Sequence, residues 1–180
     1  FAVFSAHATG MDLCLFSESF QYIGLDDGVP RALALLAPGG QVIIADCFRS
    51  DAYKSRAVHG AQPGGGHKLT AFRARLAGWP VAVTHVEEIT DAVAPSIDLE
   101  QGFFNVLGLG LERLRGELAA KKPIALWVLT RAVGLGLSAR RRVALMTRLT
   151  GTARNAEVFR VYNHYMLFRL ARQDGGLPQG

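Results

Sequence analysis

Cysteine is scarce, and nothing around it is built for structure. The 180 residues hold two, Cys14 and Cys47, too few for a disulfide framework and without the neighbouring His or Cys spacing of a metal site. Both read as buried reduced thiols, which suits a reducing cytoplasm. No secretory leader is recognisable. Long apolar runs are missing too: the richest candidate, Ile124 to Leu137, is too short to cross a bilayer and contains Arg131. Glycine motifs for nucleotides also fail. Gly108-Leu109-Gly110 has no third glycine at the right place and lies inside a helical pattern, where close helix packing is its natural use. Lys68 and Thr70 are out of register with a phosphate loop after Gly66. These absences argue against a zinc protein, a P-loop protein, a dehydrogenase and a membrane-spanning protein.

What the chain does have is a large apolar fraction, 49%, enough at this length for a globular domain with a core. Its charge is uneven. Residues 1–97 carry seven Lys and Arg against nine Asp and Glu, whereas residues 98–172 carry thirteen against five. The basic half reads either as solvated helix faces or as a surface for an anionic substrate, a membrane or a nucleic acid. A nucleic-acid partner is not expected, because interleaved aromatics there are limited to Trp127, Phe159 and Tyr162.

The stretch from Asp12 to Cys47 organises the rest. Leu13 to Phe16 is a short apolar run suited to a strand buried on both faces. Asp27 is placed to cap a helix whose first turn tolerates Pro30. Val29, Ala32, Leu33, Leu35 and Leu36 then form a wide apolar stripe, and Pro38-Gly39-Gly40 ends it. Val42 to Ala45 is a second buried strand, so strand, crossover helix and strand make a βαβ unit and a parallel sheet. Beyond it, Asp51 to His67 reads as a loop over the site, Lys68 to Ala77 as a helix stopped by Gly78, and Val81 to Val86 as a third strand. From Asp98, a plausible N-cap, a helix is expected to about Lys122, followed by helices from Pro123 to about Leu137 and from Ser138 to about Leu149. Val161 to Leu170 alternates as a final strand.

A strand ending in Ser17-Glu18-Ser19, the L-x-PGG-x-hhhhD pattern over Leu36 to Asp46, and Glu88-Ile89-Thr90-Asp91-Ala92-Val93-Ala94-Pro95-Ser96 occur in this order. Together they resemble the second half of the class I S-adenosylmethionine-dependent methyltransferases, of the kind that methylates small, often apolar metabolites. The resemblance implies an α/β fold: a partial, mostly parallel Rossmann-like sheet, formed by residues 1–97 and 150–180, with an antiparallel last strand slipped between its two predecessors. Residues 98–149 would be a helical insertion covering the acceptor or touching lipid as a peripheral membrane contact. The glycine-rich turn after the family's first strand has no counterpart before Asp12, so the chain is expected to be the C-terminal part of a longer protein, inactive alone.

In open α/β sheets ligands bind beyond the carboxyl ends of the strands. The resemblance places the S-adenosylmethionine contacts at Phe16, Ser17 and Glu18, and the small-molecule acceptor near Gln21 and Tyr22. Related enzymes carry a histidine base at the position of Gln21, and an amide cannot take a proton. That leaves Glu18 or Glu88 as base, raised towards neutrality by burial, or an acceptor atom that needs none. Each has a plainer alternative: Glu18 as a cap or ligand of the cofactor amine, and Glu88 as a solvated strand end. His85 reads as a packed or surface histidine. His164 and Tyr165 on the last strand are core or rim residues, or line the acceptor pocket; of the two, His164 is the candidate acceptor contact. A non-catalytic module that uses the basic helices to bind lipid or a partner is the competing function.

Overall fold

Four strands form one sheet: β1 (Met11–Ser17), β2 (Leu36–Arg49), β3 (Val81–Glu88) and β4 (Asn163–Arg172), in the order β1-β2-β4-β3. The computed structural model describes residues 9–53, 65–151 and 154–173. β1 and β2 are parallel, and β4 runs antiparallel to both β2 and β3. The carboxyl ends of β1, β2 and β3 therefore share one edge of the sheet with the start of β4. This is the order and the antiparallel insertion that the resemblance implied.

Helices α1 (Leu25–Leu35) and α2 (Leu69–Leu76) cover one face. Along β2 the side chains alternate, sending Val42, Ile44 and Phe48 into that core. β4 adds Met166, Phe168 and Leu170, while the helices add Val29, Leu33, Leu69 and Phe72. Phe72 sits at the centre of an aromatic cluster, its ring centroid 5.0 Å from Phe48, 5.0 Å from Phe168 and 5.3 Å from Phe20. Crossings of this kind are preferred because ring edges are positive and ring faces negative.

Several boundaries differ from the sequence reading, each for a local reason. α1 starts at Leu25 with Gly24 as N-cap, so Asp27 lies inside the helix and pairs with Arg31 at 3.4 Å instead of capping. The helix ends at Leu35 and β2 begins at once; Pro38-Gly39-Gly40 is an irregularity within the strand, where the register jumps from Met11↔Leu36 to Leu13↔Gln41. Gly39 has φ +81°, and a Cβ on Gly40 would lie 2.7 Å from the Met11 carbonyl oxygen. Neither cysteine is in a disulfide, and both are half-buried rather than buried. The Cys14 thiol donates to the Ala32 carbonyl at 3.7 Å, and burial raises its pKa.

Two compact units divide the chain, Phe1–Val93 with Glu157–Gly180, and Ala94–Ala156. α3 (Thr90–Lys121) starts eight residues before the expected cap at Asp98 and runs through Pro95, whose missing N–H falls on an exposed side. Asp98 instead accepts a hydrogen bond from the Ala156 N–H at 2.8 Å, the first residue of α6 (Ala156–Tyr162), a short helix where the sequence pattern had shown none. α4 (Pro123–Gly136) and α5 (Ala139–Thr150) follow the expected limits closely, with Ser138 capping α5 through the Arg141 N–H. Gly108 serves helix packing as expected: a Cβ there would lie 2.5 Å from the Leu149 carbonyl oxygen of α5. Among the described residues no helix is long and apolar enough to cross a membrane.

Candidate functional site

The loop after β1 is pinned on three sides. Glu18 N–H donates to the Ala45 carbonyl at 3.0 Å, extending the β1–β2 ladder by one bond. Its backbone then turns sharply: Glu18 is the one non-glycine among the described residues with positive φ, at 49°. Asp46, fully buried at the end of the Val42–Ala45 run, accepts from the Gln21 N–H at 3.2 Å through Oδ2 and from the Cys47 N–H at 2.7 Å through Oδ1. From the third side comes His67, whose Nε2 lies 2.8 Å from the Ile23 carbonyl and 3.3 Å from that of Phe20. Carbonyls only accept, so this nitrogen carries a proton.

His67 is itself held. Its carbonyl accepts from the Arg49 N–H at 2.8 Å, and Gly66, at φ +91°, lies so close to the Cys47 carbonyl that a Cβ would collide with it. The end of the expected loop, residues 65–68, is thus a bonded bridge onto the end of β2; residues 54–64 lie outside the described residues.

Tyr165 completes the strand-end cluster. Its hydroxyl donates to Glu18 Oε1 at 3.1 Å and lies 3.5 Å from the Ala45 carbonyl. Burial, then the Glu18 carboxylate, push the phenol pKa well above its ordinary value, so it stays a donor. Asp46 is also raised, chiefly by burial, against the lowering pull of its backbone hydrogen bonds.

Glu88 belongs to a second arrangement. His164 Nδ1 donates to Glu88 Oε1 at 2.7 Å, and the Thr90 hydroxyl donates to the same oxygen at 2.8 Å while accepting the Tyr165 N–H at 2.9 Å. The His164 hydrogen bond holds the Glu88 carboxyl below its ordinary value. This corrects the expectation that burial would lift it towards neutrality: Glu88 is exposed, and the hydrogen bonds to its charged form outweigh desolvation. His164 and Tyr165 are successive residues of β4, so their side chains leave opposite faces of the sheet. Glu88 and Glu18 are therefore engaged from opposite faces, although both stand at the same sheet edge.

Phe16 and Tyr22 line a different feature, a cleft of about 560 Å³ along β1 and α1 that also takes in Ile23, Asp27 and Arg31. Ser17 is exposed at the end of β1, and the Gln21 amide lies 3.5 Å from the Glu18 carbonyl. His85 is exposed and pairs with Glu87 at 3.3 Å. Two participants were missed from sequence. Asp46 had a signal, a lone acid directly after the apolar Val42–Ala45 run, whereas His67 had none, because its partners lie 44 and 47 residues away. Among the described residues no group of three or more His, Cys, Asp or Glu side chains could hold a metal ion.

No family model matches the chain, and no curated protein matches it. Solved structures do. The cyclopropane synthase MmaA2 from Mycobacterium tuberculosis is similar with a TM-score of 0.52 at 17% identity, over 91% of this chain and 56% of its own. The mycolic acid cyclopropane synthase CmaA1, solved with SAH and CTAB, gives a TM-score of 0.53 at 15% identity, over 92% of this chain and 56% of its own. The chain thus spans about half the length of the solved structures it matches. The likeness shows the fold: a partial Rossmann-like α/β sheet of the kind these synthases carry.

Proposed function

We propose that this chain forms the acceptor-side half of an S-adenosylmethionine-dependent methyltransferase acting on a small, apolar or amphipathic metabolite, and that its helical unit, residues 94–156, meets lipid. The observation that carries the catalytic part is the acidic strand end, where Glu18 is held by Tyr165 beside the buried Asp46 at the carboxyl ends of parallel strands. CmaA1, which is similar in fold, was solved with SAH and CTAB.

The residues present suit the cofactor's charge. A sulfonium and an ammonium are both cations, and the exposed Glu18 carboxylate at this edge can offer oxygens to them, while the buried Asp46 fixes the turn behind it. Phe16, Ser17 and Glu18 would hold the cofactor. When bound, it supplies an electrophilic methyl group.

The protein's own contribution is alignment and exclusion of water. Tyr165 fixes the Glu18 carboxylate, and the turn from Phe20 to Ile23 presents Gln21 and Tyr22 to the acceptor. Glu18 is the favoured base of the two carboxylates, since Glu88 is committed to His164 and Thr90 with its proton affinity lowered. His164 then acts by holding Glu88 at the rim of the acceptor site. Isothermal calorimetry of S-adenosylmethionine with the intact protein tests this. Micromolar or tighter binding is expected, weakened about tenfold or more by Glu18→Gln and less by Tyr165→Phe, in line with a hydrogen bond to a charged group. No detectable binding would leave the fold without methyl transfer.

A further inference from the structure

α4 is apolar over most of its circumference, interrupted by Thr130 and Arg131. One face, through Leu126, Leu129 and Val133, lines a cleft of about 430 Å³ with α3 and α5. The opposite face carries Ile124, Trp127, Val128 and Leu135, which recur at helical spacing and are 78%, 60%, 53% and 90% exposed. Not one of the helix's fourteen residues is buried. A helix apolar over most of its circumference needs an apolar environment, and this one is too short to span a bilayer.

The charge around it says which environment. From Leu118 to Ala156 there is no acidic residue against eight Lys and Arg; Lys121 is ion-paired with Glu117 at 2.6 Å and Arg148 and Arg154 with Glu100 at 2.7 and 3.0 Å, which leaves Lys122, Arg131, Arg140, Arg141 and Arg142 as the cations around α4. Lys121 and Lys122 stand immediately before α4, and Arg140 to Arg142 open α5 immediately after it. The basic residues thus bracket the exposed apolar face at both ends. Arg131, the one charge inside α4, lies 5.5 Å from the Trp127 ring centroid, where a long stem can follow the apolar face with its head at the water interface.

We infer that α4, with the start of α5, is a docking element for an anionic bilayer surface: Ile124, Trp127, Val128 and Leu135 enter the headgroup–acyl boundary, and the flanking Lys and Arg side chains meet lipid phosphates. The inference rests on the lipid contact proposed above and specifies its lipid class and the face that inserts. A nucleic acid would use the same cations but has no use for four exposed apolar side chains between them.

Vesicle co-sedimentation of the intact protein, with neutral phosphatidylcholine vesicles against vesicles containing one-quarter phosphatidylglycerol, reads this directly. Binding to the anionic vesicles should be at least thirtyfold tighter and be lost in high salt. Replacing Arg140, Arg141 and Arg142 together with Gln should weaken it by about two orders of magnitude, at roughly a fivefold loss per cation. Leu135→Asp, at a fully solvated position, should weaken it without disturbing the fold. Lipids brominated in the acyl chain should quench Trp127 emission, and the quenching should vanish in Trp127→Phe, which leaves Trp79 as a control. Equal binding to neutral and anionic vesicles overturns the anionic surface while sparing lipid contact; no binding to either overturns both, without touching the cofactor calorimetry. Binding that ignores Leu135→Asp and is displaced by a duplex oligonucleotide overturns the inference in favour of a nucleic acid.

Discussion

At the scale of single residues, the site is an exercise in which neighbour each acid finds. Glu18 and Glu88 look alike in sequence, each closing a strand, but one takes a tyrosine hydroxyl and the other a histidine and a threonine. The lowered Glu88 carboxyl has a consequence for stability. A group more acidic in the folded than in the unfolded state contributes stability above its ordinary value, and loses it as pH falls through the folded value. Glu88→Gln should therefore destabilise at neutral pH by on the order of 0.5 kcal/mol, since the pair is half exposed. The variant and the parent should converge below about pH 4, as melting followed across that range will show. Gln21→Ala removes an amide that lies 3.5 Å from the Glu18 carbonyl, beside the proposed acceptor region, and keeps the backbone bond to Asp46. It should raise the acceptor KM severalfold, and unchanged kinetics would take Gln21 out of the site.

Among the elements, the sheet edge depends on contacts distant in sequence. Gly66 is the tightest of these, because its backbone rests on β2 where no side chain fits. Gly66→Ala should release His67 from the Phe20–Ile23 turn and weaken acceptor and cofactor binding together, measurable by calorimetry with each ligand. The α2 helix is anchored by Leu69, Phe72 and Leu76, and Phe72 is the one fully buried, among four aromatic rings. Phe72→Ala should cost about 3–5 kcal/mol in denaturant unfolding, the usual loss for a buried aromatic. The resemblance to a known family made the three strand-ending segments and the sheet order legible. It did not reveal the early start of α3 or the existence of α6, because Pro95 masked the first and β-branched residues disguised the second.

For the molecule as a whole, the open edge is the dominant fact. β1 pairs with β2 on one side only, and Leu13 and Leu15 are 51% and 60% exposed. A parallel strand is ordinarily covered on both faces and both flanks, so an edge of this composition invites pairing with another chain. The isolated 180-residue chain should aggregate on heating, and Leu15→Lys should raise its solubility by placing a charge on that edge. Reversible, cooperative melting of the unmodified chain, followed by light scattering, would contradict this reading. The helical unit presents the second large apolar surface, and its charge pattern distinguishes it from the strand edge, which carries little charge.

Periodicity, turn residues and apolar runs are local properties, and they determined from the sequence alone that this is an α/β chain with a parallel start, a further strand near its end and a basic helical region; the antiparallel finish was legible only through the family resemblance. Hydrogen bonds between residues 44 to 147 positions apart have no local signature, so only the tertiary structure decided that His67 secures the turn after β1 and that Tyr165 holds Glu18. It decided as well that His164 holds Glu88 on the opposite face. The alternation of a β-strand is what separates those last two pairs: one step along β4 turns the side chain to the other side of the sheet.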